Sequence, residues 1–299
     1  MRIFDRAKRG LGLLRDSLVV LRNNPKLLLF PVLSGISALV FVVLWFGSVF
    51  GVFTLTENAI LALVLLFGGY VLTTFITVFF TAALVYESRQ VFEGAPPDLK
   101  RGMRASWDVK GKLLAWAVIT GTVGIILNMI ESSDSQVGRM LATVVGIAWA
   151  VMTFFVVPTA VLDRDSTVRD MFTRSGSIFK GQWGETVIGF GAVRAIETVV
   201  VLIGAALGAL VYLGTESIIG AAVMFVPFAI AGVLLSQTVQ GIVKTALYVY
   251  AREGKRPSEF DDQNFDDLGR NNRGASGATG GVVGNSGGRG GSGGSGGFV

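Results

Sequence analysis

Six long, uninterrupted apolar runs constrain the fold of this sequence more than any other feature. Each run has at least 18 residues and almost no charge, which is the pattern of a helix that crosses a membrane. At 1.5 Å per residue, such helices are long enough to cross a hydrocarbon layer about 30 Å thick. The runs cover residues 28–55, 59–85, 113–130, 140–162, 186–213 and 218–243.

Composition excludes an ordinary soluble domain. Apolar residues make up 51% of the 299 residues and charged residues only 16%, whereas a soluble domain is about 25% charged. The runs also lack the alternation of apolar and polar residues that is typical of strands in a membrane β-barrel. We therefore predict an all-α polytopic membrane protein whose six transmembrane helices form three hairpins.

Charge in the connecting segments predicts the orientation, because Lys and Arg are retained on the cytoplasmic side of a membrane. Residues 1–27 carry seven basic residues, residues 87–112 carry six and residues 163–185 carry four. The connections on the opposite side hold a single basic residue, Arg139. This asymmetry predicts a multi-pass protein of the cell membrane with both termini in the cytoplasm.

The sequence contains no Cys and no His. Disulfides, thiolate nucleophiles and imidazole acid–base chemistry are thereby excluded, as are zinc sites with Cys or His ligands. The apolar runs also lack Asp, and the one acidic residue that could serve a Ser nucleophile as a base is Glu197. We therefore predict that the protein is not an enzyme and that it uses no cofactor or metal.

Three copies of one unit are predicted along a transmembrane domain of residues 1–256, at about 1–95, 96–165 and 166–256. The first two copies share the pattern K-L-L-x-aromatic-x-V-x-[ST]-G at residues 26–35 and 112–121. The third copy matches more weakly. Each copy comprises a basic amphipathic helix followed by a transmembrane hairpin. Chance similarity between apolar sequences is the alternative explanation.

The basic amphipathic helices are expected to lie at the headgroup layer. Each basic residue near an anionic membrane surface contributes about 1 kcal/mol of attraction. Membrane lipids are therefore expected partners. These helices have two possible roles, either orienting and anchoring the chain or binding a specific lipid.

The K-L-L-x-aromatic pattern and the hairpin end A-L-Y-V-Y-A-R at residues 246–252 resemble a family of uncharacterised prokaryotic six-helix membrane proteins. That family is similar to the membrane domain found beside some bacterial glycerophosphodiester phosphodiesterases. The resemblance covers about residues 1–256 and implies the six-helix architecture. It implies no catalytic residue, because the phosphodiesterase chemistry belongs to a separate soluble domain.

Four polar residues in the last two apolar runs form a candidate intramembrane cluster. Arg194 and Glu197 lie three residues apart, and therefore on one face of a helix. Gln237 and Gln240 come to a comparable depth in the sixth run. Charges inside a membrane are costly unless they are paired, so such a cluster indicates either a substrate or ion path or polar contacts that hold helices together.

Residues 257–299 are predicted to form a disordered cytoplasmic tail, first acidic and then rich in Gly and Ser. Within the tail, Phe260, Phe265 and Leu268 are candidates for docking a cytoplasmic partner; a solvated extension is the alternative. The basic residues beside the membrane reflect topology, so no nucleic-acid partner is predicted.

Three classes of function remain at this point. The first is a non-catalytic membrane protein that organises lipid or partner proteins, favoured by the basic helices and the tail. The second is a small-solute or ion transporter or channel that uses the polar cluster between the fifth and sixth spans. An intramembrane enzyme ranks last. The sequence leaves the oligomeric state open.

Overall fold

The computed structural model describes residues 3–56, 58–132, 135–178 and 187–254, together with Pro257 and Phe260. Side chains are described from residue 12 onwards and, within the ninth helix, from residue 197. In chain order, the helices are α1 (Ile3–Asn23), α2 (Leu29–Thr56), α3 (Ala59–Phe92), α4 (Leu99–Asp108), α5 (Lys110–Glu131), α6 (Gln136–Thr153), α7 (Val156–Leu162), α8 (Val168–Ile178), α9 (Val187–Thr215) and α10 (Ile218–Glu253). A 3-10 turn at Pro25–Leu28 lies between α1 and α2.

The predicted fold class is confirmed. Six helical segments are long and apolar enough to cross a membrane, and they correspond to the six apolar runs. They pair as three hairpins: α2 with α3, α5 with α6 and its continuation α7, and α9 with α10. A short amphipathic helix, α1, α4 or α8, precedes each hairpin.

Each hairpin turns through a short polar connection that caps the returning helix. The side chains of Asn58, Ser135 and Ser217 accept hydrogen bonds from backbone N–H groups in the first turns of α3, α6 and α10. Such caps satisfy N–H groups that have no partner within the helix. Compact connections of this kind leave few positions for the basic residues that are concentrated at the other end of the bundle.

The helices α3 and α10 continue well beyond their apolar runs. They contain 34 and 36 residues, which corresponds to about 51 and 54 Å at 1.5 Å per residue. Both helices extend at the end of the bundle where α1, α4 and α8 pack. We call this end the basic end; it is formed by α1, α4, α8 and the C-terminal ends of α3, α7 and α10. It is the side that the charge distribution predicts to be cytoplasmic.

The apolar faces of the amphipathic helices pack on protein. Leu13, Val20 and Leu21 of α1 are buried in a core that includes Leu247 of α10. Gly102, Ala105 and Ser106 are the buried residues of α4, and Met171 and Ser175 are those of α8. The basic faces therefore remain on the outside of the basic end.

Close helix packing in the third hairpin depends on two glycines. A Cβ added to Gly204 would lie 2.5 Å from the Cβ of Phe228, and one added to Gly208 would lie 3.0 Å from the carbonyl oxygen of Ala221. The spacing of Gly204 and Gly208 predicts such an approach of two membrane helices, and the structure confirms it.

The prolines in the spans differ in their effect. Pro31 lies in the first turn of α2, and α10 continues as a helix through Pro227. Before Pro158, the fourth span is interrupted between α6 and α7, because a proline cannot donate the hydrogen bond that the preceding turn requires. The backbone N–H of Phe155 at this break donates instead to the hydroxyl of Ser175, at 2.9 Å.

The first two predicted repeat copies have similar environments at their aligned positions. Leu27 and Leu113 are both fully buried, and the aromatic residues Phe30 and Trp116 are both buried. Three successive helix–hairpin units agree with the repeat interpretation. The repeat boundaries themselves remain a prediction.

Candidate functional site at the basic end

A completely buried carboxylate, Glu87, lies near the end of α3. The guanidinium of Arg101 in α4 donates to both oxygens of this carboxylate: Nε is 2.8 Å from one oxygen, and Nη2 is 2.6 Å from the other. The backbone N–H of Asp98 adds a third hydrogen bond at 2.8 Å. Bidentate, charge-assisted contacts of this kind offset the loss of hydration that burial causes.

The Glu87–Arg101 pair fixes α4 against the first hairpin. Arg101 also donates to the carbonyl oxygen of Pro96, at 2.9 Å, and its hydrogen bond to Glu87 raises the pKa of Arg101. Asp98 begins α4 by accepting from the backbone N–H of Arg101, which lowers the pKa of Asp98. Gly102 packs against the Glu87 side chain so closely that an added Cβ would lie 2.8 Å from its Cγ.

Asp163, directly after α7, joins the second and third hairpins. Its carboxylate accepts from Arg174 of α8 and, at 3.2 Å, from Arg252 of α10. The ammonium of Lys112 in α5 donates to the carbonyl oxygen of Arg164, at 2.7 Å. Three spans and one amphipathic helix therefore meet around this connection.

A third contact joins the first and third hairpins. Arg89 of α3 lies 2.8 Å from Glu253 at the end of α10. Next to it, a cleft of about 410 Å³ separates α3 from the segment after α7, with Tyr86, Arg89 and Asp163 in its lining. Polar contacts thus link all three hairpins at the basic end.

The predicted intramembrane cluster is only partly described. The backbone of Arg194 belongs to α9, but its side chain lies outside the described residues. Glu197 is half-buried. Its backbone carbonyl oxygen packs so close to Gly232 of α10 that a Cβ added to this glycine would lie 3.3 Å from it. The pairing of Arg194 with Glu197 stays a prediction.

The two glutamines of the predicted cluster line different cavities. Gln237 is exposed and lines a cavity of about 450 Å³ between α2, α3 and α10. Gln240 lines a cavity of about 390 Å³ on another side of α10, together with Lys244. The amide of Gln240 donates to the hydroxyl of Ser236 at 2.9 Å.

The start of the tail packs on the bundle. Phe260 is 4% exposed and meets Phe92 edge-to-face, with 5.7 Å between the ring centroids. An intramolecular contact therefore already occupies this member of the predicted docking peptide. Phe265 and Leu268, together with the rest of residues 261–299, lie outside the described residues.

The chain was compared with protein families, curated proteins and solved structures. The model of DUF6159, a family of unknown function, matches residues 59–258. The chain belongs to this family. The DUF6159 match begins with α3 and continues past α10, so it includes all the ion pairs described above. No curated protein and no solved structure matches the chain.

Sequence reasoning missed Glu87, Asp163 and Lys244. Each of them follows the end of a predicted apolar run, where charged residues are expected as topology markers. One signal for Glu87 was available, because Arg101 is 14 residues away across a short Pro-containing connection. The burial of Glu87 could not be predicted, since it depends on α3 continuing as a helix beneath α4.

Proposed function

We propose that the protein is a non-catalytic membrane component that organises lipid or partner proteins at the cytoplasmic membrane. The observation that carries this proposal is the set of exposed basic side chains at the basic end. Among the described residues, they include Arg15, Arg22, Lys26, Lys100, Arg104, Lys110 and Arg169.

Three acidic residues of the basic end support the proposal. Glu87, Asp163 and Glu253 each bind an arginine within the protein. Their carboxylates hold the helices together, while the exposed basic residues face outwards. Each exposed basic residue contributes about 1 kcal/mol of attraction near an anionic surface. Together these residues would favour acidic lipid by several kcal/mol.

Five threonine hydroxyls of α3 and α10 also favour a role without catalysis or transport. Thr73, Thr77 and Thr81 of α3 each donate to a carbonyl oxygen four residues earlier in the same helix. Thr238 and Thr245 of α10 do the same. Hydroxyls bonded in this way satisfy their donors locally, so they need no substrate or ion.

A small-solute or ion transporter is the second candidate. The cavity that Gln237 shares with Pro31 and Thr77 favours it, because the cavity lies between two hairpins within the spans. Most of its other lining residues are apolar, among them Ala38 and Val233. Such a lining suits an apolar group better than an ion.

The resemblance to the membrane domain beside glycerophosphodiester phosphodiesterases supports the first candidate. In that arrangement the chemistry belongs to a soluble domain, and the membrane domain is the non-catalytic part. A partner enzyme bound at the basic end would supply the chemistry in the same way, while this protein holds it at the membrane.

Lipid selectivity tests the proposal. The full-length protein is reconstituted in phosphatidylcholine vesicles, and spin-labelled phosphatidylglycerol and phosphatidylcholine are compared for the fraction immobilised at the protein. We expect phosphatidylglycerol to be preferred, and the preference to fall when Lys100, Arg104 and Lys110 are replaced together by Gln. High salt should also weaken it, because salt screens exposed charges.

Two outcomes would contradict the proposal. Equal immobilisation of the two lipids would remove the lipid-organising role. Saturable, protein-dependent uptake of a solute or ion into the same vesicles, abolished by Gln237→Leu, would favour transport instead.

A further inference from the structure

The cavity beside Lys244 lies at the end of the apolar segment of α10, where the lipid headgroups are expected. Residues 218–243 of α10 contain no charged residue, and these 26 residues span about 39 Å at 1.5 Å per residue. That length exceeds the hydrocarbon thickness of about 30 Å. Lys244, the next residue, therefore lies at the edge of the hydrocarbon layer, on the side of the basic end.

The lining of this cavity is amphipathic. Lys244 and Gln240 provide an ammonium and an amide, and Trp116 and Phe154 provide aromatic surface. Helices from all three hairpins contribute, since Thr81 of α3 and Thr153 of α6 also line the cavity. The cavity thus lies among transmembrane helices, and its volume of about 390 Å³ suits part of an amphiphile.

The side chains of this cavity are placed to bind a phosphate that carries an apolar chain: the polar groups suit the phosphate end and the aromatic rings suit the chain. The Lys244 ammonium lies 4.9 Å from the centre of the Phe154 ring, and an ammonium has three donors. The Gln240 amide uses one N–H on Ser236, and its second N–H can donate to an ester carbonyl. Trp116 stacks on Trp149, with 5.9 Å between ring centroids, and adds apolar surface.

We propose that this cavity binds one anionic phospholipid of the adjacent leaflet, with Lys244 contacting the phosphate, Gln240 an ester carbonyl, and Trp116 and Phe154 an acyl chain. Basic pockets between transmembrane helices near the cytoplasmic surface recognise anionic headgroups in this way. A free phosphate has the same charge chemistry, but it makes no use of the aromatic wall. The inference rests on the proposed function and names the lipid class and one specific site.

The test uses native mass spectrometry of the full-length protein with added phosphatidylglycerol, phosphatidylcholine or inorganic phosphate. We expect one tightly bound phosphatidylglycerol, and an apparent affinity at least about tenfold lower in Lys244→Gln, because a charge-assisted contact is lost. Lys244→Arg should retain binding. Arg139→Gln is the control, since it removes an exposed basic residue at the opposite end of the bundle and should bind as the wild type does.

A second measurement avoids any dependence on the folding of the Lys244 variants. Phosphatidylglycerol with brominated acyl chains should quench Trp116, so the quenched fraction of wild-type fluorescence should exceed that of Trp116→Phe. Excess inorganic phosphate should leave this quenching unchanged. Displacement of the lipid by phosphate would overturn the lipid assignment and indicate a site for soluble anions.

The remaining outcomes separate this inference from the proposed function. If Lys244→Gln and Arg139→Gln bind phosphatidylglycerol equally, or if no quenching of Trp116 occurs, the specific site is refuted. The general preference for anionic lipid in vesicles can survive that result. If wild-type protein shows no preference for anionic lipid in vesicles, the proposed function fails instead.

Discussion

At the scale of single residues, burial decides how much an ion pair contributes. The Glu87 carboxylate is completely buried, whereas the Arg89 and Glu253 side chains are partly exposed. A buried charge that loses its partner costs about 3–5 kcal/mol, while an exposed pair is worth about 0–1 kcal/mol. The two pairs are neighbours at the basic end, so they provide a direct comparison.

We expect Arg101→Ala to destabilise the protein by about 3–5 kcal/mol, because it leaves Glu87 buried without its counter-charge. Arg89→Ala is the control and should cost at most about 1 kcal/mol. Thermal unfolding in detergent, monitored by size-exclusion chromatography, measures the stability of both variants. The double variant Arg101→Ala with Glu87→Leu should recover part of the loss. Equal effects of the two single arginine variants would show that Glu87 is not buried in the membrane-inserted protein.

At the scale of helices, the apolar runs predicted where each span begins more closely than where some spans end. The run that contains α3 ends near residue 85, yet α3 continues to Phe92. Hydropathy cannot detect this extension, because the additional turns of helix are stabilised by tertiary contacts such as Arg101 on Glu87. At the interruption before Pro158, the freed N–H of Phe155 is satisfied by the hydroxyl of Ser175, which is distant in sequence. The Gly204 and Gly208 spacing, by contrast, is a local signal and predicted the close packing.

Substitutions of glycine by alanine test this packing. Gly204→Ala should destabilise the third hairpin, because its Cβ would lie 2.5 Å from the Cβ of Phe228 on α10. Gly47→Ala in α2 is the control, since its Cβ would meet nothing within 4 Å. Alanine is favoured over glycine in a helix interior by about 0.5–1 kcal/mol, so the control should be neutral or stabilising. Thermal unfolding should therefore show a lower melting temperature for Gly204→Ala and an unchanged or higher one for Gly47→Ala. Shifts of the same sign would contradict the α9–α10 contact.

At the scale of the whole molecule, polar contacts among the ends of the hairpins give the bundle two unlike ends. One end carries the ion pairs and the amphipathic helices, and the other carries short capped connections. The sequence predicted this division from its Lys and Arg distribution alone. It could not predict that the tail begins by packing on the bundle, because Phe260 is an isolated aromatic residue in a polar segment.

Two truncations test the role of the tail. A chain that ends after Gly269 should insert and unfold like the full-length protein, because Phe260 remains in place against Phe92. A chain that ends after Gly254 should be less stable by about 1.5–3 kcal/mol, the value of burying one large apolar side chain. Phe260→Ala in the full-length chain should reproduce that loss. Membrane abundance and thermal unfolding measure these effects, and equal stability of the two truncations would contradict the contact.

The orientation of the whole bundle follows from the same division into two ends. The pairs Glu87–Arg101, Asp163–Arg252 and Arg89–Glu253 hold the ends of the three hairpins together, so the segments that carry these pairs lie at one end of the bundle. Charge retention predicts that this side faces the cytoplasm. A reporter that is active only in the cytoplasm should therefore work when it is inserted at Ala95 or fused after Gly269. A reporter that is active only outside should work after Ser135 and after Glu216, and any site with the opposite result would refute the six-span orientation.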